Sequence, residues 1–341
     1  MLAVVKEQKG PGYVIKEVPV PKPGPDQVLI KVKAVGICGS DIPIIKGVRE
    51  VPIPLIPGHE FAGDIVEIGK NVNGFKVGDR VTPGLVIHCG NCLPCRAGLE
   101  SLCDNILETG IHVNGAFAEY VVVPEKTVHH LPDNMSYEWG ASIDPIASAY
   151  RPVKKAKIGS EDIIIVFGPG PIGIYALQVA RAEGAKKLIV VGIPGDEGRL
   201  TMARDLGADN TIIYYSDTFV QDINQLTNGH MADAVIEATG NEKVYNTCLD
   251  VLRKAGRLSV AGVCHKISEF NFAKVVRHEL RVEGSICYSW LDYQESLALV
   301  ASGKVRVDPL ITHRFPLKDF AKALEVIDKR ESIKVILYPE K

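Results

Sequence analysis

The stretch from Asp162 to Gly184 constrains the fold more than any other part of the chain. Ile163-Ile164-Ile165-Val166-Phe167 is an uninterrupted apolar, mostly β-branched run, the pattern of a parallel strand buried on both faces. Gly168-Pro169-Gly170-Pro171-Ile172-Gly173 follows at once and fits G-x-G-x-x-G, and Ile174 to Ala182 continues at helical spacing. Glycine turns are common in α/β folds; the flanking strand and helix are what give this one meaning. Such a turn binds anions, because glycines let the backbone approach a pyrophosphate and the helix N-terminus presents unpaired N–H groups along its dipole. The residues expected to cradle a dinucleotide are therefore Gly168, Gly170, Pro171, Ile172 and Gly173.

Further strands are expected at Lys187 to Val191, Thr211 to Tyr214, Ala232 to Ala238, Arg257 to Ala261 and Arg281 to Ile286, with helical spacing between several of them. Together with the first strand they make a six-stranded, doubly wound parallel sheet. The chain before it is of another kind. Pro19, Pro21, Pro23 and Pro25 exclude helix, Val28 to Val35 alternates as a half-exposed strand, and Phe61 to Ile68 reads as another. Gly115 to Val123 resumes strand character, and Trp139 to Ala149 leads through a helix towards the dinucleotide unit. After Cys287 the order is helix, loop, helix and a last strand, Lys334 to Tyr338, expected to rejoin the N-terminal part. At 341 residues two domains are expected, one from residues 1–148 with 288–341 and a dinucleotide-binding one from 149–287.

A net charge of −2 gives no electrostatic reason to expect nucleic acid, and no apolar run is long enough to span a membrane. Without a secretory pattern at Met1 to Gly10, the expected location is the cytoplasm, where eight cysteines are not expected to pair as disulfides. Four of them explain themselves. Cys89, Cys92, Cys95 and Cys103 form C-x2-C-x2-C-x7-C, a spacing that closes a thiolate tetrahedron around a structural zinc. The iron–sulfur alternative calls for x3 and a proline after the fourth cysteine, whereas Asp104 follows Cys103. Cys248, Cys264 and Cys287 sit alone in apolar segments and read as packing residues.

Gly36-Ile37-Cys38-Gly39-Ser40-Asp41 carries three groups able to ligate, donate or accept, and Gly58-His59-Glu60 sets a possible ligand pair between a proline-glycine turn and a strand. In order, the Cys38-Gly39-Ser40-Asp41 run, Gly58-His59-Glu60, the four-cysteine lobe, Gly115 to Val123, Asp144-Pro145 and the GPGPIG turn resemble the zinc-dependent medium-chain alcohol and polyol dehydrogenases over essentially the whole chain. The resemblance implies a mainly β, GroES-like catalytic domain beside the Rossmann domain, two zincs per chain, and NAD or NADP. It implies that Cys38 and His59 ligate a catalytic zinc, with Asp144 as third protein ligand. Glu60 would be either a direct ligand or a nearby negative charge that helps ligands exchange, and Ser40 would accept the hydroxyl proton of the substrate. A metal so held lowers the pKa of an alcohol, and the protein's task is to bring its carbon within reach of nicotinamide.

Two departures from the family pattern stand out. Sorbitol and threonine members often carry a His two residues after the Asp of the C-G-S-D run, where this chain has Pro43; Ser-Asp-Ile-Pro and Phe272 to Ser289 look more like galactitol-1-phosphate dehydrogenases. NAD-specific members place an acid at the end of the second strand, where this chain has Gly192, with Asp196 and Arg199 beyond it. Both NAD and NADP remain open on that evidence. The expected reaction is oxidation of a secondary alcohol on a polyol, sugar alcohol or its phosphate; the alternatives are a threonine-like amino alcohol, or a non-catalytic zinc-binding relative. A homodimer or homotetramer is expected, because the apolar strand around Val282 to Ile286 would be an exposed edge in a monomer.

Overall fold

The computed structural model describes residues 1–214, 217–264 and 266–340. The chain forms two compact units, one from Met1–Asp144 with Tyr288–Ala301 and the chain from Val307 onward, the other from Pro145–Cys287 with Ser302–Arg306. Among the described residues no helix is long and apolar enough to cross a membrane.

The first unit is built on a seven-stranded sheet. Its spine runs Ile311–Pro316, Lys334–Tyr338, Gln27–Gly36, Glu60–Ile68, Arg80–Pro83 and Val128–His130, and Tyr120–Pro124 pairs with Gln27–Gly36 off that path. Gln27–Gly36 organises it because its apolar positions lie in the core while Lys31 and Lys33 stay partly exposed. Around it pack Phe61, Ile65, Val81, Phe117, Phe320 and Leu337, all fully buried. Each such side chain contributes roughly 1.5–3 kcal/mol by leaving water. The last strand rejoins the N-terminal part as expected, with Leu337 opposite Val35 and Ile336 opposite Gly36. The strand Ile311–Pro316, parallel to it, was not expected, since Thr312, His313 and Arg314 read as a polar loop. Gly115 to Val123 is strand only over Tyr120–Pro124.

The second unit is a six-stranded parallel sheet in the order Asn210–Ile213, Lys187–Gly192, Ile163–Phe167, Ala232–Glu237, Leu252–Val260, Arg281–Gly284. Numbered along the chain this is 3-2-1-4-5-6, the doubly wound dinucleotide-binding order. The switch point falls between Ile163–Phe167 and Ala232–Glu237, and the helix Pro171–Ala182 starts directly beyond the first of them. The helices Phe219–Leu226 and Phe272–Arg277 add to those expected from spacing. The edge strand Arg281–Gly284 is exposed throughout.

Candidate active site

Three side chains able to ligate a metal, from two segments of the first unit, converge. One ligand atom each of Cys38, His59 and Glu60 lies within 4.8 Å of the others. Cys38 follows the central strand Gln27–Gly36, and His59 immediately precedes the neighbouring strand Glu60–Ile68, so the antiparallel pairing of Gly36 with Glu60 brings them together. The turn delivering His59 needs Gly58, whose φ is +91° and where a Cβ would sit 2.5 Å from the Phe117 ring, leaving no room for a side chain.

Asp41 holds this arrangement from behind. Its Oδ2 accepts from Cys38 N at 2.9 Å, and its Oδ1 faces His59 Nδ1 at 3.7 Å. Those two facing atoms are buried with no hydrogen-bond partner. With Nδ1 turned to a carboxylate, Nε2 is the ring nitrogen left for a metal, the usual way a ligating histidine is oriented. Ser40 lies beside the Cys38 sulfur, and its side chain and backbone favour the thiolate. Glu60 is ion-paired to Lys334, both at most 2% exposed, and Lys334 also donates to the Ile37 carbonyl at 3.2 Å.

Asp144 does not join the triplet. Its Oδ2 accepts from the Tyr288 hydroxyl, which in turn accepts from Leu85 N at 2.8 Å. Burial pushes the carboxyls of Asp41 and Asp144 and the thiol of Cys38 upward, with Asp41 adding to the shift at Cys38. Burial lowers Lys334 to about 8, against the pull of Cys38 and Asp41. A divalent cation among these donors reverses the balance, since its charge favours thiolate and carboxylate. The thiol–imidazole–carboxylate donor set fits zinc with a position to spare for substrate.

The four-cysteine lobe is also assembled. The ligand atoms of Cys89, Cys92, Cys95 and Cys103 all lie within 4.8 Å of one another, with Cys92–Cys95, Cys92–Cys103 and Cys89–Cys95 sulfur distances of 3.3, 3.8 and 4.0 Å. A tetrahedron with Zn–S bonds of about 2.3 Å has edges of about 3.8 Å. Backbone N–H groups of Asn91 and Cys92 lower Cys89 to about 6. Cys248 is buried as a packing residue, whereas Cys264 and Cys287 keep part of their surface exposed.

In the second unit the glycine turn has the expected form. Gly168 has a φ of +95°, and a Cβ on Gly173 would sit 1.9 Å from the Gly168 carbonyl oxygen, so the helix can approach the strand only without a side chain. Gly170 caps the helix with Pro171 and Ile172 in its first turn, and a Cβ there would meet nothing within 4 Å. That open backbone beside a helix N-terminus fits a dinucleotide's pyrophosphate. At the end of the second strand, a Cβ on Gly192 would sit 3.1 Å from Asp196 Cβ and 3.2 Å from Leu200. Asp196 is buried and its Oδ2 accepts from Ile193 N at 3.1 Å; Arg199 is half-buried in the helix Glu197–Asp205.

Residues 24–133 match the alcohol dehydrogenase GroES-like domain, and residues 171–302 match the zinc-binding dehydrogenase domain. The chain is 37% identical to a sorbitol dehydrogenase of Halalkalibacterium halodurans over 99% of both chains. It belongs to the zinc-dependent medium-chain alcohol and polyol dehydrogenases. Two solved members of the family superpose on it. A zinc-binding dehydrogenase of Sinorhizobium meliloti bound to NADP gives a TM-score of 0.92 at 31% identity over 99% of both chains. Galactitol-1-phosphate dehydrogenase of Escherichia coli gives 0.91 at 30% identity over 99% of this chain and 100% of that one. As a medium-chain dehydrogenase the protein is an NAD(P)-dependent oxidoreductase with zinc as its metal. Sequence reasoning missed Lys334 and Tyr288 as parts of the site, and gave Asp41 only as one of three groups in its loop able to ligate, donate or accept. Asp41 stood within a quoted motif, but Lys334 and Tyr288 carried no local signal.

Proposed function

We propose that this dehydrogenase oxidises a secondary alcohol carbon of a polyol, a sugar alcohol or a sugar-alcohol phosphate, and runs the reverse reduction. The observation that carries the reading is the buried Cys38–His59–Glu60 triplet in a chain whose similarity to a sorbitol dehydrogenase extends from end to end. The solved galactitol-1-phosphate enzyme supports including phosphorylated substrates. When bound, zinc supplies Lewis acidity towards the substrate hydroxyl and the dinucleotide supplies the hydride acceptor.

The chain's own residues do the rest. Cys38 and His59 hold the catalytic zinc with a carboxylate, for which Glu60 is the acid the geometry favours over Asp144. Asp41 fixes the His59 ring, and Ser40 accepts the hydroxyl proton of the substrate beside Cys38. Cys89, Cys92, Cys95 and Cys103 hold the structural zinc. Gly168, Gly170, Pro171, Ile172 and Gly173 receive the pyrophosphate, with Gly192, Asp196 and Arg199 near the adenosine ribose. In this reading residues 1–148 and 288–341 are the catalytic domain and 149–287 the dinucleotide-binding domain. The exposed edge strand Arg281–Gly284 supports a homodimer or homotetramer, and we place the enzyme in the cytoplasm.

The test is a panel of polyols and their phosphates, offered with NAD and with NADP to zinc-replete protein and followed at the reduced-nicotinamide absorbance. Turnover of at least one secondary alcohol is expected. Silence across the panel with both cofactors would end the proposal.

A further inference from the structure

Two buried carboxylates stand near the Cys38–His59 pair, and a different group tethers each. Lys334 holds Glu60 and is itself anchored on the Ile37 carbonyl. Tyr288 gives its hydroxyl proton to Asp144 while accepting from Leu85 N–H. The first tether leaves a Glu60 oxygen within 4.8 Å of the Cys38 and His59 ligand atoms; the second leaves Asp144 outside that group, although His59 is close enough to act on its charge.

We propose that Tyr288 is a positioning residue which keeps the Asp144 carboxylate off the catalytic metal, so that one phenol hydroxyl decides which of two acids becomes the ligand. The proposal rests on reading Cys38, His59 and Glu60 as the catalytic-zinc group. The tether is stiff. Tyr288 is 4% exposed and its ring lies 5.3 Å from that of Tyr293, whose hydroxyl is bound to Thr82 Oγ1 at 2.7 Å and to the Pro83 carbonyl at 3.2 Å. With Leu85 N–H also on its oxygen, the phenol cannot follow Asp144 towards the metal. Asp144 is fixed at its other end in the first turn of the helix Ile143–Lys155. Swinging it onto the metal would strip the Tyr288 O–H of its acceptor in a buried setting, and such a loss is costly.

Tyr288→Phe removes the hydroxyl and little else, and Asp144→Asn removes the competing ligand. The experiment exchanges cobalt(II) into the catalytic site of the otherwise intact holoenzyme and records its visible bands, together with zinc per chain and the rate of zinc loss to a chelator. The lobe zinc serves as an internal reference. Asp144→Asn is expected to keep both zincs, with less than the about tenfold change in metal affinity that loss of a true supporting partner brings. Tyr288→Phe is expected to shift the cobalt bands as a carboxylate joins the metal, and the double variant is expected to return them to the wild-type position. Loss of the catalytic zinc in Asp144→Asn, or an unshifted cobalt spectrum in Tyr288→Phe, would overturn the proposal. If Tyr288→Phe does not fold, zinc retention in Asp144→Asn decides alone. A wild-type protein that oxidises no polyol would leave these metal readouts untouched, so the two readings fail separately.

Discussion

Gly36→Ala should unseat the Glu60 carboxylate without changing any charged residue. Gly36 ends the central strand opposite Glu60 on one side and Ile336 on the other. A methyl there would lie 2.5 Å from Glu60 Oε2, 2.7 Å from Lys334 Cε and 3.0 Å from Lys334 Nζ. Carbon contacts settle at about 3.5–4.0 Å, so the ion pair must part or the strand must move. Neither charged group can escape to water, since Glu60 is 1% and Lys334 2% exposed. Overpacking alone costs about 1–3 kcal/mol. Removing one partner of a buried pair would cost about 3–5 kcal/mol, but Gly36→Ala keeps both, so about 3 kcal/mol, the top of the overpacking range, is the expectation. At an m-value of about 2 kcal/mol/M that lowers the urea midpoint by about 1.5 M. Tryptophan fluorescence suits the measurement because both tryptophans, Trp139 and Trp290, belong to the first unit. Gly39→Ala is the control: a Cβ at Gly39 meets nothing within 4 Å, and its midpoint should stay put. Equal midpoints and equal zinc retention in the two variants would refute the packing argument.

Other consequences are as specific. Burial holds the His129 imidazole at about 4 against an ordinary 6.5, so the fold favours the neutral ring. The stability it carries is complete above pH 6.5 and is lost as pH falls towards 4, by about 3 kcal/mol in all; urea midpoints at pH 7.5 and 5 should differ in wild type and converge in His129→Asn, and an unchanged difference would remove His129 as the cause. Gly173→Ala, forced against the Gly168 carbonyl, should destabilise the second unit and abolish dinucleotide binding. Gly170→Ala, with open space around it, should leave thermal stability alone and weaken binding measured by nicotinamide fluorescence; normal affinity would mean the cofactor lies elsewhere. Cys103→Ser should cost the lobe zinc and leave the other bound, as read by metal content; retention of both would break the four-thiolate assignment.

What the sequence disclosed depended on how local each signal was. The strand, turn and helix around Gly168 to Gly173 and the four cysteines lie within short windows, so spacing alone specified their geometry. The parallel sheet was readable because its inner strands, Ile163–Phe167, Lys187–Gly192 and Ala232–Glu237, are mostly apolar, almost wholly buried runs separated by helical spacing. Ile311–Pro316 was not, since its strand character comes from pairing beside Lys334–Tyr338 and its residues alternate weakly. The supporting groups of the site were hidden for a similar reason. Lys334 meets Glu60 across 274 residues of chain, Tyr288 meets Asp144 across 144, and Tyr293 meets Thr82 across 211. No pattern in a single sequence encodes such partners. Motif order placed Asp144 among the ligands, but motif order carries no information about the phenol that engages it.

Metal content measured beside turnover tests the central claim most directly. Wild-type protein should carry two zincs per chain and reduce the nicotinamide cofactor with a polyol, while His59→Ala should retain only the lobe zinc and lose that activity. Two zincs in His59→Ala, or polyol oxidation at the wild-type rate, would contradict a catalytic metal held by Cys38 and His59.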